Sequence, residues 1–283
     1  MKKSVILYHA NCPDGFGAAW AAWKKFGGRA EYIPIPATQD GRQLNGVATK
    51  DREVYLLDVC VPLSDLLKLR MKSRKVIVID HHATSASIAT HATEHLFDVK
   101  HSGAVLAWQY FNPQKKLPAL LKYIEDGDLW RWKLPQSKIF LSYVYSRPFD
   151  FKEYEVLARG AESVRERKRY LLLGKALADY NGTLVREAVA KAELVQFGKY
   201  KILAVNSTSK RSHSEVGHAL CEKRPPLGIV WRIERGMIEV SLRGDGSVDV
   251  SKLAKQFSGG GGHPNAAGFS APLAKGFPWR WLL

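Results

Sequence analysis

The sequence predicts an α/β protein of two domains, with a parallel sheet in the first and a smaller mixed sheet in the second. The first 150 residues alternate short β-branched runs with helical stretches, which is typical of a parallel α/β sheet. After a long helical stretch, the strand pattern returns from about Leu194. We therefore expect an N-terminal domain over residues 1–150, a helical connector over 151–192 and a second α/β domain over 193–283.

The elements of the N-terminal domain follow from hydrophobic periodicity and β-branched content. Four strands are predicted, at Ser4–Tyr8, Ala30–Ile35, Val54–Leu57 and Val76–Ile79. Helices are predicted between and after them, at Phe16–Phe26, Leu63–Met71, Ala104–Phe111 and Pro118–Glu125. This alternation of strands and helices is the basis for predicting a parallel sheet.

The second half of the chain begins with helix and returns to strands. From Phe151 to about Lys191, apolar residues recur at helical spacing among many charges, which predicts one or two long helices. Further elements are predicted as strands at Lys201–Val205, Gly228–Ile233 and Met237–Leu242, a helix from Ser214 and a helix at Val250–Phe257. The last two strands are separated by a hairpin-like turn at 234–236, which indicates antiparallel pairing there.

The composition is that of a folded chain with a strong basic excess. Its 283 residues include 43 Lys and Arg against 27 Asp and Glu, which gives a formal net charge of +16. A hydrophobic content of 46% excludes a globally disordered chain. The basic residues are spread along the chain, so we expect a globular protein that handles a polyanion such as nucleic acid or a nucleotide.

Membrane insertion and secretion are not expected. Uncharged runs fall short of the ~18 apolar residues that a membrane-spanning helix needs. The apolar stretch Val5–Tyr8 is too short for a secretory signal. Three cysteines, Cys12, Cys60 and Cys221, form no disulfide framework in a chain of this length, so the expected location is the cytoplasm.

Potential metal ligands directly follow three of the predicted strands. His9 follows the first strand, Asp58 the third and Asp80–His82 the fourth, while Asn11 and Asp14 lie in the turn after His9. Ligands bind at the carboxyl ends of strands in open parallel sheets, so these side chains should converge. Imidazole with carboxylate suits Mn, Zn or Fe, and a carboxylate-rich set favours Mn. Two ions bridged by one carboxylate are suited to displacement at a phosphoryl ester.

Six motifs resemble those of the DHH family of phosphoesterases, in the family's order from residue 8 to residue 268. Its first four motifs and its two C-terminal motifs are matched by Tyr8–Gly15, Leu56–Asp58, Asp80–His82, Tyr123–Trp130, Val240–Arg243 and Gly259–Gly268. The Asp-His-His run is similar to the motif that names the family, and the glycine run is similar to the signature of the DHH-associated C-terminal domain. The chain resembles the bacterial oligoribonuclease and phosphoadenosine phosphate phosphatase type members.

The resemblance implies a hydrolase with two Mn²⁺ ions, for which Mg²⁺ or Co²⁺ are alternatives. The ligands that it implies are His9, Asn11 and Asp58 for one ion, and Asp14, Asp58, His81 and Asp128 for the other. Asp58 would bridge the ions, Asp80 would orient the neighbouring histidines, and His82 would lie near the scissile phosphate. Asp126 is an alternative to Asp128, because both lie in the same turn.

In the second domain, the resemblance implies residues that bind the substrate. Arg243, His263 and the backbone of Gly260, Gly261 and Gly262 would bind its phosphate or terminal nucleotide. Glycine has no Cβ, so backbone N–H groups can close around an anion. By holding the substrate, Arg243 and His263 would assist catalysis, as would Asp80 and His82.

Asn11 is the one departure from the family's pattern, which has an aspartate at this position. An amide oxygen can still coordinate a hard cation, but it lacks the negative charge of a carboxylate. We therefore expect the ion next to His9 to be held more weakly than the second ion.

Motifs for a zinc protease, for nucleotide binding and for base stacking are less convincing in this sequence. His91–His95 has the H-x-x-E-H letters of an inverted zinc protease motif, but it lies in a stretch with weak helical patterning. The glycine run lacks the spacing of a dinucleotide fingerprint, and the chain has no G-x-x-x-x-G-K-[ST] motif. Three tryptophan pairs are expected in the core or at an interface rather than as base-stacking platforms: Trp20 with Trp23, Trp130 with Trp132, and Trp279 with Trp281.

The function predicted from the sequence is metal-dependent hydrolysis of phosphodiesters in short oligonucleotides or small nucleotide phosphates. One alternative is a phosphomonoesterase acting on 3′-phosphoadenosine 5′-phosphate. Another is a catalytically weak nucleic-acid-binding protein, which Asn11 and the basic charge would favour. The partners expected are the oligonucleotide or nucleotide substrate, no membrane and, as an option, a second copy of the chain in a homodimer.

Overall fold

The computed structural model describes residues 2–36, 44–207, 212–257 and 259–282. The chain forms two compact units, Met1–Ala178 and Asp179–Leu283. The boundary lies within a long helix, so the first unit extends past the predicted N-terminal domain and includes part of the predicted connector.

The first unit contains a sheet of five parallel strands in the order β2-β1-β3-β4-β5. The strands are β1 (Ser4–His9), β2 (Ala30–Ile35), β3 (Glu53–Leu57), β4 (Lys75–Asp80) and β5 (Glu94–Phe97). The parallel sheet and its four predicted strands are confirmed. The sequence analysis missed β5, a four-residue edge strand in which only Leu96 and Phe97 are apolar, and this strand contains part of the rejected H-x-x-E-H motif.

Register brings the ends of the three central strands together. Tyr8 in β1 pairs with Leu57 in β3, and Leu57 pairs with Ile79 in β4. The next residue in each strand or directly after it is His9, Asp58 or Asp80. These three polar residues therefore lie side by side at the carboxyl ends of the central strands.

Helices cover both faces of this sheet. In chain order they are α1 (Pro13–Phe26), α2 (Leu63–Lys72), α3 (Ala86–Ala89), α4 (Gly103–Phe111), α5 (Ala119–Asp128), α6 (Ser137–Ser146) and α7 (Phe151–Glu162). Alternate strand residues face opposite cores, one with α1 and α4–α7 and the other with α2 and α3. The predicted helices are confirmed, and α3 and α6 were missed.

Helices α1 and α4 pack closely against each other on one face of the sheet. Trp20 stacks on Trp108 with ring centroids 5.4 Å apart. A Cβ on Gly17 would lie 2.9 Å from Ala104 Cβ, so this glycine permits the close contact between the helices. Both helices therefore begin near the ends of the strands.

Helix α8 (Val164–Ala190) follows α7 directly and crosses the boundary between the units. Asp150 caps α7 by accepting hydrogen bonds from the backbone N–H groups of Lys152 and Glu153. Ser163, whose backbone is extended, separates the two helices. The predicted helical stretch is thus two helices.

The second unit contains a mixed sheet of seven strands in the order β10-β11-β9-β8-β7-β6-β12, with only β7 and β8 parallel. The strands are β6 (Glu193–Phe197), β7 (Tyr200–Asn206), β8 (Leu227–Glu234), β9 (Met237–Gly244), β10 (Gly261–His263), β11 (Ala266–Pro272) and β12 (Arg280–Trp281). Two helices accompany them, α9 (His213–Lys223) and α10 (Val250–Ala254). The predicted mixed sheet is confirmed, while β6, β10, β11 and β12 were missed.

Of the two tryptophans near the C-terminus, Trp279 belongs to the core of the second unit, whereas Trp281 is exposed. Trp279 is buried and contacts Trp231, with ring centroids 6.0 Å apart. Trp281 lies in the edge strand β12, which pairs with β6. None of the helices in the described parts of the chain has the length and apolar character needed to span a membrane.

Candidate metal centre

The side chain of Asp58 lies between two imidazoles at the ends of the central strands. Its Oδ2 is 3.1 Å from Nδ1 of His9, and its Oδ1 is 3.1 Å from Nε2 of His81. Asp58 and His81 are each only 1% exposed. Each oxygen of one buried carboxylate therefore faces a different histidine, as a bridging ligand would.

Two further carboxylates surround His81. Its Nε2 is 3.7 Å from Oδ2 of Asp14 and 3.6 Å from Oδ2 of Asp128. Asp14 comes from the start of α1, and Asp128 is the last residue of α5. The structure thus brings together Asp14, Asp58, His81 and Asp128, the four residues expected around the second ion.

The other group of potential ligands consists of His9, Asp58 and His82, which offer atoms within 4.8 Å of one another. The sequence analysis placed His82 near the substrate rather than among the ligands. Asn11 lies in the turn between β1 and α1, with an exposed side chain and a φ of 56°. Asn and Asp both tolerate this left-handed conformation better than most residues, so the backbone of the turn accepts either one.

The N-terminus of α4 supports this centre, and the sequence analysis did not single it out. The backbone N–H groups of Gly103 and Ala104 donate to Asp14 at 2.6 and 3.1 Å. A Cβ on Gly103 would lie 2.5 Å from Asp58 Cβ, so only glycine fits there. The available signal was Ser102-Gly103 before an apolar helix, because serine is a common N-cap residue.

Asp80 lies against the side chain of His82. Its Oδ1 lies 2.7 Å from His82 Nδ1 and accepts the backbone N–H groups of His81 and His82 at 2.7 and 3.2 Å. Its Oδ2 accepts the hydroxyl of Ser85. Although burial opposes ionisation, His82 and Ser85 keep the pKa of Asp80 below its usual value. Asp80 thus contacts the side chain of one of the two neighbouring histidines, and its role in orienting them stays a prediction.

The structure separates the two aspartates that the sequence left as alternatives. Asp126 accepts the backbone N–H groups of Lys133 and Leu134 at 2.8 and 3.2 Å, so its carboxylate closes the loop after α5. Asp128 instead faces His81. Asp128 is therefore the better candidate for a ligand.

The buried carboxylates influence one another's protonation. Burial and the nearby charges of Asp58 and Asp128 raise the pKa of Asp14 well above its usual range. Burial likewise raises the pKa of Asp128, whereas the imidazoles of His81 and His9 outweigh burial and lower the pKa of Asp58. The same carboxylates outweigh burial at His81 and raise its pKa to about 10.

These residues fit a pair of divalent cations. In the described part of the chain, no hydrogen bond with good geometry reaches Asp58 Oδ1, although His81 Nε2 lies 3.1 Å away. A carboxylate oxygen and an imidazole nitrogen that lie close together without the geometry of a hydrogen bond are typical of ligands that share a cation. Three carboxylates converging on imidazoles also supply the negative charge and the donor types that Mn²⁺ prefers.

In the second unit, Arg243 and His263 lie on neighbouring parts of the sheet. Arg243 in β9 donates to Ser214 Oγ and Leu242 O, both at 2.8 Å, and it pairs in register with Ala266 of β11. His263 ends β10 and also pairs with Ala266. Both positions therefore flank one residue of β11.

The glycine run forms a tight turn followed by β10. Gly260 donates its backbone N–H to Phe257 O, and a Cβ on it would lie 1.9 Å from Ala254 O. Gly262 has a φ of 135°. Close packing against α10 and a left-handed backbone therefore explain these glycines, while anion binding by Gly260, Gly261 and Gly262 stays a prediction.

Comparisons with known proteins agree with this fold. Residues 199–278 match the DHHA1 domain. An uncharacterized protein of Acanthamoeba polyphaga mimivirus is 29% identical over 298 residues, which cover 96% of this chain and 68% of that protein. The solved DHH domain of a protein described as belonging to a family of ribosomal proteins aligns with a TM-score of 0.60 at 14% identity, over 99% of this chain and 83% of that one.

The Mn²⁺ complex of RecJ from Thermus thermophilus aligns with a TM-score of 0.55 at 14% identity. The alignment covers 96% of this chain and 50% of RecJ. The chain thus has the DHH fold followed by a DHHA1 domain, and the resemblance to DHH family phosphoesterases with that C-terminal domain is confirmed.

We predict that Asp128→Asn weakens Mn²⁺ binding about tenfold or more, because it removes a charge that faces His81. The matched variant Asp126→Asn should bind Mn²⁺ as the wild type does, because Asp126 accepts backbone N–H groups in its own loop. Equilibrium dialysis of both purified variants measures the difference. Weaker binding in Asp126→Asn with normal binding in Asp128→Asn would reverse the assignment.

We also predict that metal binding releases protons at neutral pH. With a pKa of about 10, His81 is protonated in the metal-free protein, and a cation needs the neutral imidazole. Apparent affinity should therefore rise as pH increases from about 7 to 9, by about tenfold per unit for one proton released. Calorimetric titration with Mn²⁺ in buffers of different ionisation enthalpy counts the protons. A flat pH dependence would contradict the prediction that a protonated His81 gives up its proton when the metal binds.

Proposed function

We propose that the protein is a metal-dependent phosphodiesterase that hydrolyses short oligonucleotides or small nucleotide phosphates. The observation that carries the proposal is the position of Asp58, whose two carboxylate oxygens face two separate groups of potential ligands. Such an arrangement suits a pair of cations that share one carboxylate. The DHH fold and the Mn²⁺ complex of RecJ support the same function.

In this proposal, His9, Asn11 and Asp58 would hold one Mn²⁺ ion, and Asp14, Asp58, His81 and Asp128 would hold the other. When bound, the ion pair would supply Lewis-acid stabilisation of the negative charge on the phosphoryl group that reacts. Mg²⁺ and Co²⁺ are alternatives, because oxygen-rich donor sets also accept them.

His82 is the side chain that we propose to contact the scissile phosphate. Asp80 holds its Nδ1, and in this proposal its Nε2 is the nitrogen that contacts the phosphate. Although burial disfavours the charged imidazole, Asp80 and Asp58 raise the pKa of His82 above its usual value. A protonated His82 would donate a hydrogen bond to a phosphate oxygen and could give a proton to a leaving oxygen.

Arg243 is the residue that we propose to bind a substrate phosphate in the second unit. Burial lowers the pKa of its guanidinium to about 10, so it stays charged at neutral pH. It donates hydrogen bonds to neutral oxygens of Ser214 and Leu242, and Gly217 leaves room for its stem. Replacing neutral partners by a phosphate would strengthen those hydrogen bonds. His263 would contact the same phosphate.

A nucleotide substrate is favoured over other phosphate esters by the charge of +16, which suits a polyanion. The cytoplasmic location also stays a proposal, supported by three free cysteines. The possibility of a homodimer stays a prediction from the sequence.

The proposal predicts that the protein cleaves a labelled dinucleotide to mononucleotides when Mn²⁺ is present and loses this activity when a chelator is added. Hydrolysis of the dinucleotide should be faster than that of 3′-phosphoadenosine 5′-phosphate at equal concentration.

Arg243→Gln should raise KM about tenfold or more, since a charge-assisted hydrogen bond contributes ~1.5–3 kcal/mol. Kinetics with both substrates, together with metal content, measure these effects.

The matched control is Arg232→Gln, which removes another partly buried arginine of the same sheet, one that pairs with Glu234. It should leave KM unchanged. Faster turnover of the bisphosphate would identify a phosphomonoesterase. Oligonucleotide binding without turnover at saturating Mn²⁺ would instead identify a nucleic-acid-binding protein.

A further inference from the structure

Glu125 forms a clamp between α5 and the loop that precedes α4. Its Oε2 accepts the backbone N–H of Ser102 at 3.0 Å and lies 3.0 Å from Nδ1 of His101. Its Oε1 accepts a hydrogen bond of 3.1 Å from Nη1 of Arg131, and Nη2 of that arginine donates to Lys100 O. One carboxylate thus joins three points of the chain, and its side chain is only 12% exposed.

The loop held by this clamp continues into the wall of the metal centre. Ser102 is the N-cap of α4, and the next two backbone N–H groups, of Gly103 and Ala104, donate to Asp14. Gly103 also lies against Asp58, with no room for a Cβ between them. A displacement of Ser102 would therefore shift the groups that hold two of the carboxylates.

The other side of the clamp carries a third carboxylate. Glu125 and Asp128 are both in α5 and are three residues apart, so they are neighbours on the helix surface. Asp128 faces His81. The contact between Glu125 and Ser102 consequently joins the element that carries Asp128 to the element that holds Asp14.

We propose that Glu125 is a positioning residue that sets the spacing of Asp128 from Asp14 and Asp58, and thereby the affinity of the metal centre. This inference rests on the proposed function, because it presupposes that the centre binds divalent cations. Glu125 acts through its hydrogen bonds and through its negative charge, which also stabilises the N-terminus of α4. In the described structure its hydrogen bonds join it to His101, Ser102 and Arg131, none of which is a candidate ligand.

The test is Mn²⁺ binding to the full chain, measured by calorimetric titration of the wild type, Glu125→Gln and Glu125→Ala. Loss of a residue behind the ligands typically weakens metal binding by roughly 10–100-fold, and Glu125→Ala should fall in that range. Glu125→Gln should lie between Glu125→Ala and the wild type, because its amide oxygen can still accept the Ser102 N–H.

The matched control is Glu153→Gln. Glu153 also pairs with an arginine in the first unit, with Nε of Arg147 at 2.6 Å, but this pair joins the end of α6 to α7 rather than α5 to α4. Its variant should bind Mn²⁺ like the wild type. Thermal unfolding in chelator should be run on all four proteins, and Tm should decrease by similar small amounts in the two Gln variants. This measurement separates a loss of stability from an effect on the metal centre.

The outcomes distinguish this inference from the proposed function. If the wild type binds Mn²⁺ and the Glu125 variants bind it equally well, the positioning role is overturned and the metal centre stands. Equal weakening in Glu153→Gln would also overturn it. If the wild type binds no divalent cation, the metal centre fails and this inference fails with it.

Discussion

The buried carboxylate of Asp58 is the group around which the first unit is organised. A charge that is almost fully removed from water is costly unless counter-charges or cations surround it. His9 and His81 lie at 3.1 Å from its two oxygens, and Asp14 and Asp128 approach from two helices. Asp58 itself adopts a φ of 56°, a left-handed conformation that aspartate and asparagine accept more readily than most residues. This backbone directs its buried charge toward the histidines rather than into an apolar core.

The rest of the unit supplies what this constraint requires. Parallel strands in register place His9, Asp58 and Asp80 at one edge, and two apolar cores hold the sheet between helices. Glycines allow the helices to approach the ends of the strands closely, most clearly at Gly103, which lies against Asp58. Backbone N–H groups at the start of α4 then satisfy Asp14, a carboxylate whose pKa is raised by burial and by its neighbours. The arrangement of charges depends on the backbone as much as on the ligand side chains.

The sequence predicted the strand ends well because apolar, β-branched runs stop abruptly at polar residues. Asp80–His82 shows this clearly, since β4 is fully apolar from Val76 to Ile79. The choice between Asp126 and Asp128 could not be made from sequence, because the predicted helix ended at Glu125 and left both in the turn after it. In the structure α5 continues to Asp128, and the path of the loop after α5 assigns Asp126 to the loop. Gly103 and Glu125 were missed for a similar reason. Their importance comes from contacts between α4, α5 and the sheet, which local periodicity does not encode. Short edge strands such as β5 were missed because tertiary pairing, not composition, makes them strands.

The central claim is that Asp58 is shared by two cation positions, and the stoichiometry of Mn²⁺ binding tests it most directly. Wild type, Asp58→Asn and the surface control Asp65→Asn, whose aspartate pairs with Lys68, should be dialysed against Mn²⁺ and analysed for bound metal. We expect two ions per chain in the wild type and the control. Asp58→Asn should lose high-affinity binding of both ions, because the amide removes the one charge that faces both groups. Two ions bound to Asp58→Asn with the affinity of the wild type would contradict the account.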